Sequence, residues 1–233
     1  KHKIMEVMRQ RETSRQLMRL TQGLDEPIAY DLERTSYVLT FGAGLLEAGN
    51  SPVRQARAFA NLRQGTPGRR ARIVHVDPRL SVSAAKADEW VPIRPGTDGA
   101  LALGIAHVIV SEGLYDKAFV GERTFGFEDW RDGAGPMRLG FKSLVQAEYR
   151  PEGVAAITGV PVATITRVAR EFAAARPALA LGGSGASLHT NGLYTRLAIQ
   201  ALNALVGSVE APGGTTAQRR PPVAPMPPVR RDA

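Results

Sequence analysis

Apolar residues fall into two rhythms along this chain: short solid runs, and longer stretches with one apolar face. Residues 37–41 (YVLTF), 73–76 (IVHV), 90–93 (WVPI) and 178–181 (ALAL) are the solid runs. Their length, their bounding Gly, Pro and Asp residues and, in the first three, their β-branched and aromatic content predict buried strands. Between them the spacing becomes helical. Ser51 is placed as an N-cap with Pro52 at the first helical position, and Val53, Ala56, Phe59, Ala60 and Leu62 then share one face. After Asp98, Leu101, Ile105, Val108 and Ile109 define a second helix that stops at Gly113. Asp116 is positioned to cap a short helix through Val120. Residues 161–176 carry Val162, Ile165, Val168, Ala169 and Phe172 at helical spacing. A last helix holds Leu193, Leu197, Leu202 and Leu205 and ends at Gly207.

Strand, glycine turn, helix, strand is a βαβ unit, which closes with a right-handed crossover. The pattern therefore predicts an α/β fold: a Rossmann-like, mostly parallel sheet flanked by helices over residues 21–211. Residues 1–20 are polar and basic and permit a helix without requiring one. Residues 124–150, with Gly126, Gly133, Gly135, Pro136 and Gly140, read as an irregular insertion. From 212 to 233 the chain is rich in Pro and Arg, an extended segment ordered only where something else holds it.

Composition narrows the chemistry. The chain has 233 residues, 43% of them hydrophobic and 22% charged, values of a globular protein with a substantial core. No apolar run approaches the length that crosses a bilayer. Zero cysteines exclude disulfides, thiolate metal sites and Cys-ligated iron–sulfur clusters within these residues. A start at Lys1 without an initiator Met leads us to expect a fragment or a processed chain. The net charge of +8 suits either solvated charge scattered over the surface or one concentrated anion site. Aromatic residues do not interleave with a basic face, so no nucleic-acid partner is expected.

The candidate chemistry lies in the loops that leave the predicted strands. Gly42-Ala43-Gly44 follows the first strand and precedes a helix. Such a turn either brings backbone N–H groups close to phosphate oxygens or simply ends the strand, and it lacks the third glycine of a dinucleotide fingerprint. Asp77 ends the second strand, where a carboxylate accepts from a ribose or closes a local turn before Pro78; spacing alone favours neither. Arg79 is a phosphate clamp or a solvated side chain. Pro95-Gly96-Thr97-Asp98 is a turn with Asp98 as the expected helix cap. A carboxylate at Asp98 is also suited to the N1–H and 2-amino donors of guanine. Gly182–Gly185, with Ser184, follows the fourth strand, and His189 comes after it. His2, His75 and His107 stand at the terminus, mid-strand and mid-helix and are weaker candidates. No HExxH, P-loop or GxSxG elbow occurs.

The block from Val76 to Leu101, with VDPR, then AD, then PIRPGTD before an apolar helix, resembles the molybdopterin oxidoreductases related to dimethyl sulfoxide reductase. Within them it is most similar to the polysulfide, thiosulfate and tetrathionate reductases and their quinone-reductase relatives. The resemblance implies one lobe of a site for molybdopterin guanine dinucleotide carrying Mo or W. Its residues would be Gly42, Gly44, Glu47, Asp77, Arg79, Pro95, Gly96, Asp98, Gly183, Ser184, Gly185 and His189. Asp98 would bind the guanine, and the second glycine stretch would approach the pterin and phosphate portion. The resemblance also implies a [4Fe-4S] cluster that this chain does not ligate, and an iron–sulfur electron-transfer subunit with a membrane quinone-interacting subunit. A small inorganic or small-molecule substrate and a periplasmic, membrane-associated location complete what it implies. Two alternatives stay open: a cofactor-free scaffold in a respiratory complex, and a generic enzyme of NAD or another simple nucleotide.

Overall fold

The structure is a computed structural model and describes residues 9–47, 49, 51–64 and 70–219. In chain order its elements are α1 (Arg9–Gln22), β1 (Ile28–Tyr30), β2 (Tyr37–Phe41), α2 (Pro52–Gln64), β3 (Arg72–Val76), α3 (Val82–Lys86), β4 (Glu89–Val91) and α4 (Asp98–Ser111). There follow α5 (Lys117–Arg123), β5 (Trp130–Arg131), β6 (Met137–Arg138), α6 (Phe141–Glu148), α7 (Pro151–Thr158), α8 (Val162–Ala174), β7 (Ala178–Gly182), α9 (Gly192–Leu205) and β8 (Thr215–Ala217).

Strands β4, β3, β2 and β7 form one sheet in that order, and every pair in it is parallel. Both faces are covered, which is why the strands read as solid apolar runs rather than as an alternation. Leu39, Phe41, Val74, Val76 and Ala180 face a core shared with α4, α8 and α9. Val38, Ile73, Leu179 and Leu181 face a smaller core built on Ala58 and Leu62 of α2. Helix α4 is enclosed on nearly all sides, with Leu101, Ala102, Ile105, Ala106, Val108, Ile109 and Val110 buried. Gly104 lets it approach α7, since a Cβ there would stand 2.8 Å from Val154 Cγ1.

The predicted strands all form, with one difference at the third. It spans Glu89–Val91 instead of 90–93, because Pro92 has no N–H to give the ladder. The Arg94 N–H then donates to Thr158 O at the end of α7 (2.9 Å).

Strand β7 is an edge, and α9 closes it with side chains. Asn203 Oδ1 accepts from the Ala180 N–H (2.7 Å) and its Nδ2 donates to the Ala180 carbonyl (2.9 Å). One residue pair further along the strand, the Arg196 guanidinium donates to the Gly182 carbonyl. At Ala180 and Gly182 a buried helix thus does for this edge what a fifth strand would do.

One expectation about the elements is corrected. Residues 124–150 are not an irregular insertion: β5 and β6 pair as a short antiparallel hairpin, and α6 follows. The hairpin is anchored by Asp129, whose Oδ1 accepts from the Gly140 N–H (2.7 Å). The C-terminal segment is extended as expected, and its first part is held where β8 pairs antiparallel with β1. Helix α1 buries Leu17 and Met18 with Ile28 against Leu193 and Leu197 of α9. The rest of that segment, residues 220–233, lies outside the described residues, as do residues 1–8. Among the described residues no helix is long and apolar enough to cross a membrane.

Candidate functional site

From β2 the chain steps outward to β3 and β4, then returns to place β7 on the opposite side of β2. Strand order therefore reverses between β2 and β7, and open α/β sheets bind ligands at such a reversal, beyond the carboxyl ends of the strands. Both predicted glycine turns leave from there.

The turns touch each other. The Gly183 N–H donates to Phe41 O (2.8 Å), the Gly42 N–H to Val76 O (2.8 Å), and the Gly185 N–H to Gly42 O (3.0 Å). Gly42 has φ +53, and a Cβ on it would stand 2.7 Å from Ala186 N. A Cβ on Gly183 would overlap the Gly42 carbonyl and Ala43. These glycines thus serve the contact of one loop with the other, whatever else they approach. Gly44, Gly183 and Ser184 also border a cleft of about 510 Å³, together with Tyr30, Gln55 and Arg196. Arg196 is 4% exposed, and among the described residues no carboxylate pairs with it; the Tyr30 hydroxyl is its second partner (3.2 Å).

The carboxylates lie on the β3–β4 flank of the touching loops. Asp77 is fixed by its backbone: its N–H donates to Val91 O (3.3 Å) and its carbonyl accepts from Trp90 Nε1 (2.8 Å). Its Oδ1 accepts from the Arg79 N–H (2.8 Å), so the local-turn role is real. The Arg79 side chain is exposed and has no carboxylate partner among the described residues.

Asp98 departs from its expected role. The helix cap is Thr97, and Asp98 is the first residue of α4. Its side chain is 2% exposed, and Oδ1 has no hydrogen-bond partner. Burial lifts this carboxyl above the usual carboxylate range; a backbone hydrogen bond and His189 oppose the shift, and the charge of Asp77 adds to it. Pro95 and Gly96 are exposed, and Gly96 turns the chain into α4 at φ +76 with open space about it.

Glu47 serves the start of α3. Its carboxylate accepts from the Ser83 hydroxyl and from the Ser83 N–H (3.3 Å). Burial opposes its ionisation, yet the hydrogen bonds from Ser83 and Ser81 hold it below the ordinary range. His189 closes its own loop: Nε2 donates to Ala186 O (3.0 Å), and Nδ1 accepts from the Asn191 N–H (3.2 Å).

Two polar residues in the sheet were not singled out from sequence as a pair. Thr40 and His75 are register partners on β2 and β3, both buried completely, with Thr40 Oγ1 2.6 Å from His75 Nδ1. The signal was one polar residue in each of two adjacent solid apolar runs. Burial holds the imidazole below its ordinary pKa, with Asp77 and Glu47 pulling the other way.

Comparison with known proteins matches the molybdopterin oxidoreductase family model to residues 4–221, and the chain belongs to that family. It is 38% identical over 197 residues to the molybdopterin-containing subunit of the arsenate respiratory reductase of Shewanella sp. (strain ANA-3), covering 79% of this chain and 22% of that one. It is 37% identical over 190 residues to the molybdopterin-containing subunit of the thiosulfate reductase of Salmonella typhimurium, covering 80% and 22%. Among solved structures it resembles acetylene hydratase from Pelobacter acetylenicus, with TM-score 0.70 and 28% identity, over 88% of this chain and 25% of that one. The chain thus spans between a fifth and a quarter of the length of these relatives.

The family is enzymatic and implies a molybdenum–molybdopterin cofactor. Among the described residues no three His, Cys, Asp or Glu stand together as a metal site; the polar groups they offer at the strand ends can be set against the organic part of such a cofactor. There the fit is good: Asp98 offers a buried acceptor without a donor, and Asp77 a carboxylate at a strand end.

Proposed function

We propose that this chain is the portion of a molybdopterin-dependent reductase catalytic subunit that holds a guanine dinucleotide form of the cofactor. The observation that carries the reading is Asp98, a buried carboxylate with one oxygen lacking a partner. A buried acceptor left without a donor is costly. Guanine supplies two parallel donors, N1–H and the 2-amino group, and adenine has no such pair. Asp77 then receives the ribose hydroxyls. The glycine turns and the cleft beside Arg196 face the phosphate and pterin portions.

When bound, the cofactor's Mo or W centre supplies oxygen-atom or sulfur transfer, and this chain binds and orients it. The substrate is a small inorganic or organic molecule. Electrons arrive through an iron–sulfur subunit and a membrane quinone-interacting subunit, on the periplasmic side. The test is Asp98→Ala in the full-length subunit, read as guanine nucleotide released by acid per subunit. Affinity should fall at least about tenfold, the loss expected for hydrogen bonds to a charged acceptor, and occupancy should fall with it. Unchanged occupancy would remove Asp98 from the site.

A further inference from the structure

The Thr40–His75 pair has a direction built into it. Thr40 is fully buried, and among the described residues the only acceptor its hydroxyl meets is His75 Nδ1, at 2.6 Å. A buried hydroxyl that fails to donate is costly, so it donates to Nδ1, and the imidazole proton resides on Nε2. Nε2 is itself buried and has no hydrogen-bond partner. Asp77 Oδ2 lies 3.5 Å from it, and that oxygen accepts no hydrogen bond from a described residue. The other carboxylate oxygen is already held by the Arg79 N–H. The chain Thr40 O–H, His75 Nδ1, His75 Nε2–H, Asp77 Oδ2 therefore runs from the sheet interior to the strand-end carboxylate, and only its last link is longer than a hydrogen bond.

We propose that Thr40 and His75 are positioning residues that set the Asp77 carboxylate for the two ribose hydroxyls of a guanosine. This rests on the reading of Asp77 and Asp98 as a guanosine site. A carboxylate tethered at one oxygen rotates about its own axis. Tethered at both, it presents a fixed edge, and a hydroxyl pair binds it without ordering it first. Closing the last link by a small rotation of Asp77 would also satisfy the one imidazole nitrogen that lacks a partner. The sheet holds the imidazole in place. Its register neighbours on either side are Thr40 and Trp90, and Trp90 in turn fixes the Asp77 carbonyl.

The experiment uses the full-length subunit purified without cofactor and two probes, guanosine 5′-diphosphate and its 2′,3′-dideoxy analogue. Calorimetry gives the ratio of their affinities. In the wild type the dideoxy analogue should bind about tenfold more weakly, the loss of hydrogen bonds to a charged acceptor. His75→Leu should bring the ratio close to one. The double variant Thr40→Val with His75→Leu leaves no buried hydroxyl unsatisfied. It should keep the wild-type thermal midpoint and still show a ratio near one. His75→Gln should restore the ratio, because its amide oxygen accepts from Thr40 and its amide nitrogen donates to Asp77. A purely structural role for His75 would weaken both probes equally and leave the ratio unchanged, which would overturn the inference. Asp98→Asn separates the two levels. If it binds both probes as the wild type does, or if the wild type binds neither, the guanosine reading fails. If it weakens both while His75→Leu keeps the wild-type ratio, only the positioning role fails.

Discussion

At the scale of single residues, the role proposed for Asp98 stands against stability. Its carboxyl is held above the usual range first by burial, so the folded chain binds its proton more tightly than the unfolded chain does. Stability accordingly falls as pH rises from the unfolded value, about 3.9, through the raised folded value. Asp98→Asn removes the charge. In the subunit without cofactor it should raise the thermal midpoint at pH 7, and the difference should vanish as pH drops below about 4. A wild type more stable than the variant at pH 7 would mean that the carboxylate has a partner in the free protein. The motif containing Asp98 was legible in the sequence, but its position in the helix was not. Capping depends on the local turn, and Thr97 takes that place while its hydroxyl donates to Arg94 O (2.7 Å). The second purpose of the glycines was hidden for another reason. The loop that Gly42 meets lies far along the chain, at Gly185 and Ala186, and no local pattern reports that contact.

Among the elements, the sheet was almost fully readable because both of its faces are covered, which turns each strand into a solid apolar run. What could not be read was anything fixed by partners distant in sequence. The paired segments Trp130–Arg131 and Met137–Arg138 are too short to carry a period. Strand β8 pairs with β1, which lies far from it in sequence. The closure of the β7 edge by α9 is of the same kind: Asn203 lies on a helix whose leucines announce only an apolar face. Asn203→Ala would leave the Ala180 N–H and carbonyl buried without partners, at roughly 1–3 kcal/mol each. We expect a lower thermal midpoint and faster amide exchange in the peptide spanning β7. Unchanged exchange there would mean that the edge is protected by something other than Asn203.

At the scale of the molecule, several arginines among the described residues are engaged by carboxylates. Arg63 and Arg70 pair with Asp88, Arg72 and Arg167 share Glu89 and Glu171, and Arg170 pairs with Glu112. These pairs lie away from the strand ends that release the glycine turns, and several are exposed enough to contribute little each. What concentrates at the carboxyl edge is a set of polar groups built into the sheet and its loops: Thr40, His75, Asp77, Asp98 and the backbone of two glycine turns. Family membership implies a molybdenum–molybdopterin cofactor. In the function we propose, this portion's share of the work is recognition of the guanosine end. The most direct measurement is mass spectrometry of the cofactor released from the natively purified complex, with metal analysis of the same sample. The account predicts a guanine-containing pterin together with Mo or W. A complex that carries electrons yet releases neither would contradict it, and would leave this fold as a scaffold.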